Sequence, residues 1–234
     1  MSIMGVSNYQ FVSPVLQAGC PDIYKAVYDL ASKVMRWVSE CFEKAASAIF
    51  EAVGISGSRV SVGGPLNLVA FYRGLEPNNN GVALNEILNW DDGHLESAHN
   101  YIQWLFPLTT PSGPNPTAAI LDNATIQVFR GDAALQSQVL RSFRRMLTFY
   151  GLQMDETTKV ITRAPNFNVR AAAWLTPNNH NFLRMTRMIR SMRDLGLADY
   201  AKAFFTILQD IRRNEGQGII SVVTFIHWQG ACPS

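Results

Sequence analysis

The sequence predicts an all-α, multi-helix globular bundle with room for one short strand pair. Apolar residues recur at steps of three and four along most of the chain, the spacing that lines one face of a helix. Residues that cap or stop helices stand at the ends of these runs. Nothing repeats at a fixed period, which argues against a stacked-repeat architecture. With 234 residues and 47% hydrophobic content, the chain can bury one sizeable core, or one core and a small appendage. It is too apolar and too varied for disorder.

Residues 1–21, with Pro14, Gly19 and Pro21, read as an irregular arm. From Asp22 a long helix is expected, because Ile23, Val27, Leu30, Val34, Trp37, Cys41, Ala45, Ala48 and Ala52 stay in phase before Gly54. Residues 54–65 hold four glycines and three serines and read as a linker. The expected division is therefore an arm and helical appendage over 1–63 and a main domain over 64–234. Residues 66–72 form a short apolar segment ended by Arg73 and Gly74, and residues 78–81 (Asn-Asn-Asn-Gly) form a turn. Residues 82–88 lead into a central helix, capped by Asn89 or Asp91 and stopped by Pro107.

Residues 109–117, with three prolines and a glycine, form a loop. Asp122 introduces a helix to about Arg130, and Gly131-Asp132 separate it from a second that runs to Tyr150 and stops at Gly151. Residues 152–169 are less regular, with 159–163 extended, and residues 170–175 form a short helix before Pro177. The clearest amphipathic helix covers 178–195. Met185, Met188, Ile189, Met192 and Leu195 face inward, while Arg184, Arg187, Arg190 and Arg193 wind around the remainder. Another helix follows over 197–213, with Tyr200, Phe204, Ile207, Leu208 and Ile211 inward. Residues 219–228 fit either a capping helix or a strand.

Charge divides unevenly. Residues 1–129 carry six Lys and Arg against eleven Asp and Glu, and residues 130–234 carry fourteen against seven. The second part therefore favours an anionic partner or docks on the acidic part. Cys20, Cys41 and Cys232 are odd in number and widely spaced, so neither a zinc site nor a disulfide framework is expected. Free thiols fit a reducing compartment. No apolar run approaches the roughly 18 residues of a membrane span, and residues 1–10 lack a signal-peptide pattern. A soluble, intracellular protein is the expectation.

Two clusters carry the candidate chemistry. On a continuous central helix, Asp92, Glu96, His99 and Gln103 follow at steps of four, three and four and form one polar line. Trp90 and Tyr101 stand beside it as apolar walls, with Trp104. Carboxylates and imidazoles could transfer protons or bind a metal, yet the spacing matches no metal signature, and a satisfied hydrogen-bond network explains the same residues. The second cluster, residues 178–181 (Asn-Asn-His-Asn), exceeds what one helix cap needs. Its Asn179 and His180, with Arg184 one turn on, suit a carboxylate or phosphate. Arg141, Arg144, Arg145, Arg187 and Arg190 form a candidate basic patch. Nucleic-acid binding through it stays open, without a supporting motif. Gly63-Gly64 is not a phosphate-binding loop, and no cofactor is expected.

Three stretches then point to a family: residues 71–74 (Phe-Tyr-Arg-Gly), 87–92 (Ile-Leu-Asn-Trp-Asp-Asp) and 95–107, with Leu95-Glu96, His99 and the run from Asn100 to Pro107. With Phe129-Arg130, residues 146–151 and residues 179–189, they resemble the conserved region of opioid growth factor receptor proteins over about residues 66–210. The resemblance implies a helical domain without the seven-helix membrane architecture of ordinary opioid receptors. In animals such proteins are described as binding the peptide Met-enkephalin at the nuclear envelope and restraining proliferation; for this chain the resemblance implies a peptide-binding or interaction domain and, by family alone, nuclear or nuclear-envelope association. It assigns no catalytic role to Glu96, His99 or His180. The reading from the sequence is thus a helical binding or interaction domain for a peptide, a protein or a small anionic ligand. The ligand would sit between the central helix and the helix near Asn178. The alternatives are an enzyme using Glu96, His99 and His180, or a basic nucleic-acid surface.

Overall fold

The computed structural model describes residues 65–233 apart from 114 and 116. The arm, long helix and linker expected before residue 64 lie outside the described residues. The described part is mostly helical: α1 (Pro65–Tyr72), α2 (Leu84–Asn89), α3 (Asp92–Ser97), α4 (Ile102–Leu105), α5 (Asn123–Gly131) and α6 (Ala133–Tyr150) precede a two-stranded sheet. After β1 (Leu152–Met154) and β2 (Ile161–Arg163) come α7 (Phe167–Trp174), α8 (Asn181–Asp194), α9 (Ala198–Arg213) and α10 (Val222–Ala231). The strands pair antiparallel, Leu152 opposite Arg163 and Met154 opposite Ile161. The all-α reading with one strand pair holds.

Local chemistry sets most boundaries. Asp122 accepts from the Thr125 amide at 2.7 Å and Asp132 from the Ala134 amide at 2.8 Å, so each carboxylate satisfies a donor the helix itself leaves free. Ser221 does the same for α10, accepting from Thr224 at 3.0 Å, which makes residues 219–228 mainly helix rather than strand. Gly151 ends α6 in the left-handed region, φ 73°, and a Cβ there would stand 2.8 Å from the Phe167 Cα and the Arg170 Cβ. Asn178 also has positive φ, 59°, so the eighth helix begins at Asn181 rather than at 178.

The core forms where the inward stripes of α6, α8 and α9 meet. Phe143, Met146, Met185, Met188, Ile189, Met192, Phe204, Leu208 and Ile211 are fully buried, whereas Tyr200, expected inward, is half-buried under Lys159. Three tryptophans each bury an indole and place its N–H on an oxygen: Trp104 on Asn79 Oδ1, Trp174 on the Tyr150 carbonyl and Trp228 on the Phe182 carbonyl. Large apolar area is gained without orphaning a donor.

The central helix is corrected. Asp91 caps it as expected, accepting from the His94 amide at 2.7 Å, but the helix ends at Ser97. Ala98 is extended, φ −80° and ψ 138°, and a second short helix, α4, follows. The polar line from Asp92 to Gln103 is therefore broken at its middle. The cause is Arg184, expected on the outer face of α8 but only 5% exposed. Its Nη1 donates to the Leu95 carbonyl at 3.0 Å, and its Nη2 to the carbonyls of Glu96 and Ala98 at 3.3 and 2.7 Å. Tyr101 Oη donates to the Leu95 carbonyl as well, at 3.0 Å. These groups supply the donors that a continuing helix would have provided. The chain is then free to turn, and residues 101–107 are buried without a break, which no single helical face allows.

Two consequences can be measured by denaturant unfolding. Gly151→Ala should cost about 1–3 kcal/mol, because it forces a side chain into a left-handed, crowded position. Arg184→Met should cost about 3 kcal/mol or more by stripping charged donors from buried carbonyls, with hydrogen exchange accelerated over residues 95–105. Arg184→Lys should fail to restore the loss, because one ammonium cannot span three carbonyls as a planar fork does.

Candidate functional site

The turn between α3 and α4 brings the two polar clusters of the sequence together. Asn181, fully buried at the start of α8, donates through Nδ2 to Glu96 Oε2 at 3.0 Å and accepts through Oδ1 from Arg184 at 3.2 Å. Arg184 also lies over the Tyr101 ring, 5.4 Å from its centroid. Glu96 Oε1 stands 3.4 Å from His180 Nε2, and the His180 ring meets His99 edge to face at 5.3 Å. The arrangement is part strut and part open site. Glu96, Asn181 and Arg184 satisfy one another beneath the Tyr101 ring, while His180 turns its buried Nε2 toward Glu96 and packs its ring against His99.

A cavity of about 340 Å³ opens there, between α8, α4 and residues 108–113. Of the site residues expected from sequence, it is lined by His99, Gln103, His180 and Arg184, and of the basic patch by Arg187 and Arg190. Ile102, Leu108, Pro111 and Leu183 give it apolar walls. Trp90, Asp92, Glu96, Tyr101 and Asn179 stand outside its lining. Trp90 stacks on His94 at 3.9 Å, with the rings 10° apart. Asp92 pairs with Arg145 and Arg170 at 2.9 and 3.2 Å. Asn179 accepts from the Asn181 amide at 2.9 Å, as a capping residue does.

Three atoms of lining residues are buried without a hydrogen-bond partner among the described residues: Gln103 Oε1, Ser112 Oγ and His180 Nε2, the last 3.4 Å from Glu96 Oε1. Gln103 is 4% exposed and Ser112 8%. The Gln103 amide is oriented by its own Nε2, which donates to the His99 carbonyl at 3.1 Å, so Oε1 is left as an acceptor. Such atoms cost free energy unless something in the cavity reaches them. Arg187 donates to the Phe106 carbonyl at 3.3 Å, and burial, then the neighbouring Arg190, lowers its pKa from the usual guanidinium value. Arg190 has no hydrogen-bond or ion-pair partner among the described residues. His180 is held below the ordinary histidine value, first by burial and then by Arg184, so the imidazole is neutral near pH 7.

The basic patch does not pool its charge. Arg144 grips Glu156 through two bonds of 2.6 and 2.7 Å, Arg145 is taken by Asp92 and the Trp90 carbonyl, and Arg141 reaches Gln138 and Asn85. Arg187 and Arg190 turn instead into the cavity. Among the described residues, no three His, Cys, Asp or Glu side chains converge to hold a metal ion, and no helix is long and apolar enough to cross a membrane. Sequence reasoning missed Asn181 and Ser112 as site residues. Asn181 was visible as the member of the Asn-rich cluster three positions before Arg184; Ser112 lies in a loop, where periodicity gives no signal.

The comparisons identify the family. The model of the opioid growth factor receptor (OGFr) conserved region matches residues 64–213. The chain is 40% identical to the mouse opioid growth factor receptor over 125 residues, 52% of this chain and 19% of that protein. It is 36% identical to the human one over 146 residues, 60% of this chain and 21% of that protein. The mouse opioid growth factor receptor-like protein 1 is 34% identical over 139 residues, 58% of this chain and 30% of that protein. The matched part thus spans less than a third of each of these relatives. No solved structure matches the chain. With the family model covering well over half of its residues, including the α3–α4 turn and α8, the chain belongs to the opioid growth factor receptor conserved-region family.

Proposed function

We propose that this domain binds the carboxylate-bearing end of a peptide in the cavity beside α8. The observation that carries the reading is the chemistry of its lining. Gln103 Oε1 is a buried acceptor in need of an N–H, Arg190 is a cation without a partner among the described residues, and Arg187 beside it holds only the Phe106 carbonyl. Ile102, Leu108, Pro111 and Leu183 offer an apolar surface between them. A terminal apolar residue of a peptide carries all three complements: an amide N–H, an apolar side chain and a carboxylate. Arginine suits the last because its planar fork matches a carboxylate in two bonds. A cavity of this size, mostly apolar with a few converging polar groups, is the usual form of a small-ligand site. The related mouse and human proteins are named receptors for a growth factor, and a peptide-binding domain agrees with that name.

The test is calorimetric titration of the chain with short acetylated peptides ending in leucine, each made with a free and an amidated terminus. The free acids should bind and the amides should bind at least tenfold more weakly. Arg190→Gln should remove the difference, since Arg190 has no partner to lose among the described residues. Equal binding of acid and amide would sink the reading.

Binding should also strengthen as pH falls from neutral into the acid range. His180 starts with a lowered pKa, and a carboxylate nearby raises it again. The complex therefore takes up a proton that the free domain does not hold, and affinity rises as pH drops through the bound-state pKa toward the lower one of the free domain. His180→Gln should flatten this profile in the same titration.

A further inference from the structure

A second cavity, of about 210 Å³, continues along α8 from the first. Leu108 and Arg190 line both. Beyond Arg190 its walls are Thr109, Thr110, Arg193, Asp194 and Gly230, so its lining is polar where the first is apolar. Arg193 is only partly committed. Its Nε donates to Asp194 at 2.9 Å and its Nη1 to the Ala231 carbonyl at 3.1 Å, and its Nη2 has no partner among the described residues. With Arg190 unpaired, two arginines face one aspartate, and the cavity keeps a net positive character. Arg187 lines the first cavity, Arg190 both and Arg193 the second, each turned about 60° around α8 from the one before.

Resting on the terminal-carboxylate reading of the first cavity, we propose that the ligand is an extended peptide that also carries an acidic side chain, held in the second cavity between Arg190 and Arg193. Arg190 and Arg193 rise about 4.5 Å along the axis and fall about 60° short of a full turn, so the second cavity lies within about two extended residues of the first. The acidic side chain consequently belongs at one of the two positions before the terminal residue. Successive side chains of an extended chain point to opposite sides, so only one of the two faces α8.

Gly230 supplies a clean probe of the second cavity. It lies within α10, its φ is not positive, and nothing stands within 4 Å of a Cβ added there. Gly230→Glu therefore keeps the helix and sets a negative charge at the cavity wall, distant from Gln103 and Arg187 in the chain.

Three acetylated peptides ending in a free leucine carboxylate serve as ligands for the full chain in calorimetry: one without aspartate, one with aspartate at the penultimate position, one with it at the antepenultimate position. One of the two aspartate peptides should bind at least tenfold more tightly than the other two ligands. Gly230→Glu should erase that gain, and Arg193→Gln, which lies outside the lining of the first cavity, should erase it while leaving the aspartate-free peptide unchanged. Equal affinity of the two aspartate isomers, or a gain that survives Gly230→Glu, overturns the proposal and leaves the first-cavity reading standing. Failure of all three peptides to bind overturns both. Displacement of the acidic peptide by oligothymidylate at lower concentration than by the peptide itself would assign the two cavities to a nucleic-acid backbone instead.

Discussion

The structure depends on where one buried guanidinium puts its protons. Arg184 sits almost wholly out of water, which is costly for a charge unless its donors are satisfied. Four acceptors meet it: the carbonyls of Leu95, Glu96 and Ala98 and the side chain of Asn181, at 2.7 to 3.3 Å. Hydrogen bonds to a charged donor are worth about 1.5–3 kcal/mol each, and the carbonyls they satisfy would otherwise be the open end of a helix. Each side of the contact therefore removes a cost from the other. The helix that the sequence spaces so regularly stops because α8 offers a better partner for its last carbonyls than its own next turn.

The candidate site is a by-product of that stop. Had the helix run on to Pro107, His99 and Gln103 would have stayed on one polar line with Asp92 and Glu96. The turn at Ala98 instead sends Asp92 to Arg145 and Arg170 and carries His99 and Gln103 to the mouth of a cavity on α8. The arginines of α8 are sorted by the same event. Arg184 is consumed as a cap, Arg187 is tethered to the Phe106 carbonyl, and Arg190 has no partner among the described residues. An unpaired cation beside unpartnered buried oxygens is a poor arrangement for stability and a good one for holding an anion.

Much of the fold was legible before any coordinates. The caps at Asp91, Asp122 and Asp132 and the stop at Gly151 are local chemistry, decided by side chains within three residues of the backbone groups they satisfy. The methionine and isoleucine stripe of α8 was legible for the same reason, since its spacing is a property of the helix alone. Of the site, His99, Gln103, His180, Arg187 and Arg190 were named, but in two separate groups and for different ligands.

What sequence by itself determined was the composition of each helix and the residue types that converge: two imidazoles, a carboxylate, amides and a series of arginines. Only the tertiary structure decided which of these groups is spent and which is free. A periodic pattern shows which side chains share a face, but it carries no information on a carbonyl that finds its donor 86 residues away, as Ala98 does in Arg184. That long-range bond ends one helix, buries one arginine and leaves the next ones facing a cavity. The choice between a solvated basic face and one that lines a cavity was made there.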